Sequence, residues 1–344
     1  MKNALALMLV TATACGILVG CAHRAQVQNA TAPGALSLAI VTDVGGLGDK
    51  SFNDSANRGL LQAQSQLGAR TQVLQSKSAS DYQPNLNALT NQHFDEIYAI
   101  GFLMNKDLDQ MAKAHPHQQY AIVDAVVDDP NVTSITFKEE DGSFLAGALA
   151  AMVSRSHNIG FLGGQDSPLI RKFEAGYAAG AREIDPSTTV QVKYAGSFDD
   201  AGAGKEFTNL LFDSGADVVF AAAGRAGLGA VDAVKARQNK YIIGVDSNQD
   251  DLAPGKVLTS MVKRVDVGVF RVAQAAKNKT PLHGHLVLGL KDNGISLTDF
   301  KYTKSVVTPE RIKRLDAIRK AIIDGRIKVP ATREELASFK RAAI

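Results

Sequence analysis

Three aspartates and one lysine stand at the ends of short apolar segments, where their side chains could bind a polar ligand. Asp43 follows "LSLAIVT", Asp124 ends "QYAIVD", Asp246 ends "YIIGVD", and Lys263 follows "VLTSMV". A carboxylate accepts hydrogen bonds from hydroxyl and amine groups, and a lysine ammonium donates them. Because ligands of open α/β sheets bind beyond the carboxyl ends of the strands, we expect these four side chains to share one site.

Two phenylalanines lie among polar residues, each at the predicted start of a helix. Phe52 lies in "GDKSFNDSANRG" (48–59), and Phe198 lies in "GSFDDAGAG" (196–204). In both segments a serine stands three residues before an acid, as in a capping box, and Ser51 is the predicted N-cap of the first helix. Capping does not explain the rings. We expect them to face each other across a cleft and to hold a flat ligand, since stacking contributes about 1–3 kcal/mol per ring.

From Leu36 onward, eleven short apolar segments alternate with longer helical stretches. This alternation predicts parallel βα units, and the nearly continuous apolar runs indicate sheets that are covered on both faces. So many units exceed one doubly wound sheet, and we therefore predict two Rossmann-like α/β lobes joined by a hinge. The first lobe is predicted to comprise residues 36–137 and 256–344, and the second to comprise residues 138–255. Gly224, at a predicted strand end, would let a ligand approach the backbone closely.

The N-terminal segment has the pattern of a secretory signal rather than of a membrane span. Lys2 precedes an apolar run that is short and has no second basic flank. The run ends on "LVGC", which resembles the bacterial lipobox, where the cysteine thiol carries a diacylglycerol and becomes the first mature residue. We therefore expect a signal peptide at 1–20, lipidation at Cys21, and a tether over 21–35.

The expected location is the extracytoplasmic side of a cell membrane, through the lipid anchor. An inner-membrane retention signal has aspartate directly after the lipidated cysteine, and Ala22 occupies that position here. This difference favours an anchor in the outer membrane, in a cell that has one, and both membranes stay open as its location. The only cysteines are Cys15 and Cys21, so no thiol chemistry is expected in the mature chain. The net charge of +3, without a cluster of basic and aromatic residues, argues against nucleic acid as a partner.

Several motifs that would indicate catalysis or a cofactor are incomplete. "GGLGDKS" lacks both the Gly-Lys-Ser of a phosphate-binding loop and the third glycine of a dinucleotide fingerprint. "DSNQDD" begins like a calcium loop, but Asp251 and Val257 replace its glycine and its final glutamate. No Gly-x-Ser-x-Gly elbow occurs, and the histidine pairs have no third ligand nearby. We therefore expect no catalytic residue, no metal site and no cofactor.

Five segments together resemble the basic membrane protein family, which comprises lipoprotein substrate-binding components of ABC importers. They are "IVTDVGGLGDKSFND", "AIVDAVVDDPNV", "ITFKEEDGSFLAGALAA", "NIGFLGGQDSPLIRKFEAGYAAGA" and "IIGVDSNQDDLAPGKVLTSMVKRVD". The resemblance extends from about Leu36 to about Pro330, and "DKSFN" and "GVDSNQ" are its most specific parts. It implies the type I periplasmic-binding-protein fold. It also implies a purine nucleoside ligand, such as guanosine, adenosine or inosine, and delivery to ABC permease and ATPase subunits.

The resemblance also implies roles for individual residues. Phe52 would stack on the base, while Asn53 and Asp124 would bond to its edge. Asp246 would bind the ribose hydroxyls, and Lys263 would support the sugar. The residue types suit these roles, because one carboxylate can accept both hydroxyls of a diol and an amide both donates and accepts.

The resemblance leaves some assignments open. Gly224 would let the backbone approach the sugar, and Phe198 would be the opposing ring, although Phe173 competes for that place. The strand ends carry no arginine cluster and no intact anion loop, which favours nucleosides over nucleotides.

Three alternatives to a nucleoside receptor stay open. The ligand could be riboflavin, a sugar or another flat metabolite, since the stacking rings are not specific for a nucleoside. The protein could be an extracytoplasmic nucleoside hydrolase, although "DVGGLGD" supplies only Asp43 and Asp49 toward the calcium-binding cluster of such enzymes. It could also be a surface adhesin or antigen without a ligand, which the polar residues at the strand ends disfavour.

Overall fold

The computed structural model describes residues 34–342, and within this range the chain forms two six-stranded sheets. The predicted signal peptide, Cys21 and nearly all of the predicted tether lie outside the described residues. The first sheet has the order β11-β5-β4-β3-β1-β2. Its parallel strands are β1 (Ser37–Thr42), β2 (Arg70–Gln75), β3 (Glu96–Ile100), β4 (Tyr120–Val123), β5 (Val132–Phe137) and β11 (Gly284–Leu288).

The second sheet repeats this arrangement with the order β12-β10-β9-β8-β6-β7. Its strands are β6 (Asn158–Gly163), β7 (Thr189–Tyr194), β8 (Val218–Ala222), β9 (Tyr241–Asp246), β10 (Val257–Lys263) and β12 (Ile295–Leu297). The edge strand β12 is antiparallel to β10, and the other pairs are parallel. The prediction of two α/β lobes is confirmed, and each of the eleven predicted strands is present.

Helices cover both sheets and bury their apolar faces. They are α1 (Phe52–Leu67), α2 (Tyr82–Thr90), α3 (Asn105–Ala114), α4 (Glu139–Val153), α5 (Pro168–Ile184), α6 (Ala201–Asp213), α7 (Ala226–Lys235), α8 (Val265–Lys277), α9 (Pro309–Ile323) and α10 (Arg333–Ser338). Over residues 34–342, no helix combines the length and the apolar character needed to cross a membrane.

The predicted return of the chain to the first lobe at residue 256 is wrong. The strand β10 pairs with β9, and β12 pairs with β10, so both belong to the second sheet. The helices α9 and α10 pack on α4 and α5 of the second lobe. Among the described elements after residue 256, only α8 and β11 return to the first lobe. An apolar strand sequence carries no signal of which sheet it joins, and this explains the error.

Three segments cross between the lobes, and hydrogen bonds link them side by side. The first crossing lies at Lys138, between β5 and α4, and the second lies at Arg264, between β10 and α8. The third connects β11 to β12. The Lys138 N–H donates to the Leu288 carbonyl oxygen at 2.9 Å, and the Arg264 N–H donates to that of Gly294 at 2.8 Å. A short triple crossing of this kind is a hinge between two rigid bodies.

Ser51 is the N-cap residue of α1, as predicted, but the capping boxes predicted at the two helix starts are wrong. The Ser51 side chain makes no capping bond. The Asp49 carboxylate accepts the N–H groups of Ser51, Asn53 and Asp54 at 2.9, 2.8 and 3.1 Å instead. In the second lobe, Asp200 is the N-cap of α6. Asp49 in "GGLGDKS" therefore caps the first helix, and the Ser51 hydroxyl is free for another partner.

Candidate ligand-binding site

A cavity of about 520 Å³, partly open to solvent, lies between the lobes at the carboxyl ends of the strands. Every residue predicted for the site lines it, namely Asp43, Phe52, Asn53, Asp124, Phe198, Gly224, Asp246 and Lys263. The structure thus brings together side chains that are up to 220 positions apart (263 − 43) in the chain.

Lys263 is the centre of a buried charge cluster. Its ammonium nitrogen lies 2.5 Å from Asp124 Oδ2, 3.6 Å from Asp246 Oδ1 and 4.0 Å from Glu139 Oε1. The side chain is only 2% exposed. The ammonium also lies 4.8 Å from the centroid of the Phe52 ring, which is within the range of a cation–π contact. Lys263 is thus surrounded by carboxyl groups whose oxygens can accept hydrogen bonds, which suits a ligand that donates them.

Asp124 and Asp246 occupy equivalent positions in the two lobes. Each stands at the carboxyl end of a strand, β4 and β9, that occupies the same place in its sheet. Both have a left-handed backbone, with φ of 67° and 63°. This region is uncommon for residues other than glycine, although aspartate and asparagine tolerate it better than most. Backbone strain of this kind is often found at binding sites, where it aims a side chain at the ligand.

Several buried acceptor atoms in the cavity wall have no hydrogen-bond partner among residues 34–342. They are Asn53 Oδ1, Asp124 Oδ1 and Asp246 Oδ1, and Glu139 Oε1, which lies behind the lining residues, likewise has no hydrogen bond there. The second polar atom of two of these side chains is already bonded. Asn53 Nδ2 donates to Asp43 Oδ1 at 2.7 Å, and Asp246 Oδ2 accepts from Ser51 Oγ at 2.7 Å. Because an unpaired buried acceptor is costly, the cluster is suited to a ligand that brings its own donors.

Burial raises the pKa of several acids around the cavity. Desolvation raises the pKa of Asp43 from 3.8 to about 7, against hydrogen bonds from Asn53 and Gly45 that lower it. Desolvation also raises the pKa of Glu139 to about 8 and that of Asp246 above 3.8, against the lowering effect of Lys263. Desolvation lowers the pKa of Lys263, but the surrounding carboxylates outweigh it and raise that pKa overall. The ammonium is therefore the fixed positive charge of the cavity.

Phe52 and Phe198 both line the cavity, but only Phe52 begins a helix. Phe52 is the first residue of α1 and is nearly buried, with 9% exposure. Phe198 lies in the loop before Asp200, and its ring meets that of Phe102 edge-to-face at 6.0 Å. A Cβ atom on Gly164 would lie 2.3 Å from the Phe198 ring, so glycine is required there. Gly164 therefore leaves the space that the Phe198 ring occupies.

Phe173 also lines the cavity, from α5 of the second lobe. Its ring lies 5.6 Å from the Lys263 ammonium and 6.4 Å from the ring of Phe220, which belongs to the strand β8. Phe173 thus faces the charge cluster and the core of the second lobe at once.

Sequence reasoning missed some residues around the cavity. Glu139, the first residue of α4, is fully buried beside Lys263, and its other oxygen lies 3.4 Å from Lys172 Nζ. Arg225 lines the cavity from the second lobe and contacts backbone oxygens of the first lobe. Both follow strands, as the predicted residues do. The available signal was a charged residue shortly after a strand, because Glu139 lies two residues after β5 and Arg225 lies three residues after β8.

Comparison with known proteins agrees with this geometry. A family model described as ABC transporter substrate-binding protein PnrA-like matches residues 36–333. The chain is 35% identical to the ABC transporter nucleoside-binding protein BmpA of Lactococcus lactis, over 96% of this chain and 99% of that protein. It is 34% identical to a CD4+ T-cell-stimulating antigen of Listeria monocytogenes, over 86% and 88%.

A solved structure supports the same assignment. The crystal structure of an ABC transporter solute-binding protein from Aeropyrum pernix superposes with a TM-score of 0.82 and 26% sequence identity, covering 88% of this chain and 96% of that one. The family match covers more than half of the chain, and it includes every residue that lines the cavity. The chain therefore belongs to the Bmp family of PnrA-like ABC transporter substrate-binding proteins.

Proposed function

We propose that the protein is a lipid-anchored receptor that captures a purine nucleoside between its lobes and delivers it to ABC permease and ATPase subunits. The observation that carries this proposal is the pairing of an aromatic ring, Phe52, with unpartnered acceptors on Asp124 and Asp246 in one cavity. A nucleoside offers a flat base to the ring and two adjacent hydroxyl donors to the carboxylates. The relative from Lactococcus lactis, named as nucleoside-binding, supports the same ligand class.

In the proposed complex, Asp246 accepts hydrogen bonds from the ribose hydroxyls. Its Oδ2 already receives the Ser51 hydroxyl, and its Oδ1 is buried without a hydrogen bond among the described residues. Lys263 lies 3.6 Å from that oxygen and supports the sugar from the same side. Asp124, 2.5 Å from Lys263, lies close enough to the same cluster to bind either the sugar or the base. One rigid charged cluster would thus fix the hydroxyl end of the ligand.

The base would lie against Phe52 with its edge toward Asn53 and Asp43. The Asn53 amide donates to Asp43, which leaves Asn53 Oδ1 as an acceptor for an amine or imine hydrogen of a purine. Phe198 is proposed as the opposing ring because its loop places the side chain in the cavity wall. Phe198→Leu should weaken guanosine binding by about 1–3 kcal/mol, whereas Phe173→Leu should weaken it less. A larger loss for Phe173→Leu would reverse the assignment.

A nucleoside is favoured over a nucleotide by the charges around the cavity. Several carboxylates line it, and they would repel a phosphate group. Arg225 also lines it, but its Nε donates to the Gly45 carbonyl oxygen at 2.8 Å and its Nη2 to that of Leu47 at 2.7 Å. These bonds direct the Nε edge of the guanidinium, which would form a bidentate contact with a phosphate, toward the backbone of the first lobe.

The anchor is proposed from the lipobox-like "LVGC" and its cysteine, Cys21. A lipid on this residue would place both lobes outside the cytoplasm, where a substrate-binding component meets its permease. Replacing Cys21 by serine should release the protein from the membrane fraction and stop its labelling with radioactive palmitate. Unchanged labelling would remove Cys21 as the lipidation site.

A panel of thermal unfolding measurements tests the ligand class. A ligand that binds only the folded protein raises the midpoint of unfolding, and a ligand at a hundred times its Kd adds about 2.7 kcal/mol of stability. Guanosine, inosine and adenosine should raise the midpoint, and ribose and guanosine monophosphate should not. A shift with riboflavin alone would replace the nucleoside by a flavin. Release of hypoxanthine from inosine would instead show a hydrolase.

A further inference from the structure

The glycine-rich loop that follows β1, residues 43–48, contacts the second lobe directly through Arg225. The guanidinium of Arg225 donates from Nε to the Gly45 carbonyl oxygen at 2.8 Å and from Nη2 to the Leu47 carbonyl oxygen at 2.7 Å. The two acceptors are backbone oxygens two residues apart, and both bonds cross from one lobe to the other. Because Arg225 presents a planar fork of donors, it can bind two acceptors at once.

The first lobe alone fixes the shape of this loop. The Leu47 N–H donates to Gln75 Oε1 at 2.8 Å, and the Gly48 N–H donates to Asp54 Oδ1 at 2.8 Å. Gly46 and Gly48 have φ of 59° and 86°, which glycine adopts without strain. With the N–H groups bound inside the first lobe, the carbonyl oxygens of Gly45 and Leu47 are presented to the second lobe. The loop is therefore a preformed acceptor for a cation.

The Arg225 contact also separates two cavities. Arg225 and Gly45 line the ligand cavity, and the same two residues line a second cavity with Gln75, Lys77 and Asp199. The second cavity contains exposed residues from both lobes. Opening the contact between Arg225 and the loop would join the two cavities and widen the route by which a ligand could leave.

We propose that Arg225 is a latch that holds the lobes closed independently of any ligand, with the loop 43–48 as its acceptor. The latch raises the closed fraction of the ligand-free protein and slows the release of a bound ligand. The second effect rests on the proposed nucleoside function, whereas the first does not. As the acceptor of Arg225, the glycine-rich loop 43–48 has a role in closure, although it resembles a nucleotide-binding loop that lacks its phosphate-binding residues.

Other direct bonds between the lobes involve different elements. Ser51 Oγ donates to Asp246 Oδ2, and Ser247 Oγ donates to the Ser51 carbonyl oxygen at 2.7 Å. The proposed ligand-binding carboxylate Asp246 takes part in the first of these bonds, so the strength of that bond depends on what the carboxylate binds. Across the cleft, Arg225 instead donates to two backbone oxygens of the loop. A variant at Arg225 thus tests closure without removing a proposed ligand-binding group.

Small-angle X-ray scattering of Arg225→Ala, without ligand, tests the latch. The protein would be the chain from Ala22 onward, which contains every described helix and strand. The variant should have a larger radius of gyration than the unsubstituted chain, and Arg237→Ala should not. Arg237 is a matched control because its guanidinium binds Asp213 and Asn209 within the second lobe. Equal radii for Arg225→Ala and the unsubstituted chain would overturn the proposal.

Stopped-flow release of guanosine provides the second measurement. Arg225→Ala should release guanosine about tenfold to a hundredfold faster, because two hydrogen bonds from a charged donor are lost in the closed state. The release rate of Arg225→Lys, which keeps the positive charge but not the planar fork of donors, should lie between those of Arg225→Ala and the unsubstituted chain. An unchanged release rate would overturn the latch. If guanosine did not bind at all, the nucleoside proposal would fail, and the scattering comparison would still decide the latch.

Discussion

Replacing Lys263 by methionine should destabilise the protein by about 3–5 kcal/mol, because it leaves buried carboxylates without their cation. The Lys263 ammonium contacts Asp124, Asp246 and Glu139, and its side chain is 2% exposed. Methionine fills a similar volume, so the loss measures charge rather than packing. Urea unfolding at pH 8 would give the difference in the free energy of unfolding.

The dependence of this loss on pH follows from the raised pKa values of the acids. The pKa of Glu139 is raised to about 8, and that of Asp246 is raised above 3.8. A protonated carboxyl group needs no cation, so the destabilisation should shrink as the pH falls from 8 to 5. Lys301→Met is the control, because Lys301 is exposed and pairs with exposed Asp251. A loss no larger than that of the control would contradict the role of Lys263 as the centre of the cluster.

Replacing Asp246 by asparagine should weaken guanosine binding by about 3–4 kcal/mol, or a few hundredfold. The substitution removes the charge that accepts the Ser51 hydroxyl and that is proposed to accept the ribose hydroxyls. Asparagine is chosen because Asp246 has φ of 63°, a conformation that asparagine tolerates and alanine does not. Circular dichroism should show an unchanged fold, and calorimetric titration should show the loss of affinity.

The matched control and the deoxynucleosides make this prediction specific. Asp251→Asn changes an exposed acid in the same "DSNQDD" segment and should leave the affinity unchanged. The unsubstituted protein should bind 2′-deoxyguanosine and 3′-deoxyguanosine more weakly than guanosine. Asp246→Asn should bind all three with similar affinity, because its discriminating acceptor is gone. If the variant still preferred guanosine by the full factor, the ribose would have to be bound elsewhere.

The strands and the site were predictable from the sequence because buried parallel strands have a simple pattern. Their side chains lie in apolar surroundings on both faces, so each strand reads as an apolar segment that ends on a polar residue. The carboxyl ends of such strands meet at one edge, and this alone placed Asp43, Asp124 and Asp246 in one cavity. The antiparallel edge strand β12 was missed because its three residues, "ISL", are too short to form a pattern.

Features that depend on contacts between distant segments were not predictable. The sequence around Ser51 matches a capping box, but the Ser51 hydroxyl bonds to Asp246 in the other lobe, and Asp49 caps the helix. Arg225 has no recognisable motif, since its acceptors are backbone oxygens far away in the chain. The lobe of β10 likewise depends on which strand it pairs with, and apolar sequence does not encode this.

Calorimetric titration is the most direct test of whether this cavity binds a purine nucleoside. The chain from Ala22 onward would be stripped of co-purified ligand by unfolding and refolding, then titrated with guanosine. Heat is the appropriate signal because the sequence contains no tryptophan. We expect saturable binding of one guanosine per chain, competed by inosine or adenosine and weakened about a few hundredfold in Asp246→Asn. Absence of binding for all three purine nucleosides, in a protein shown to be refolded, would contradict the nucleoside proposal.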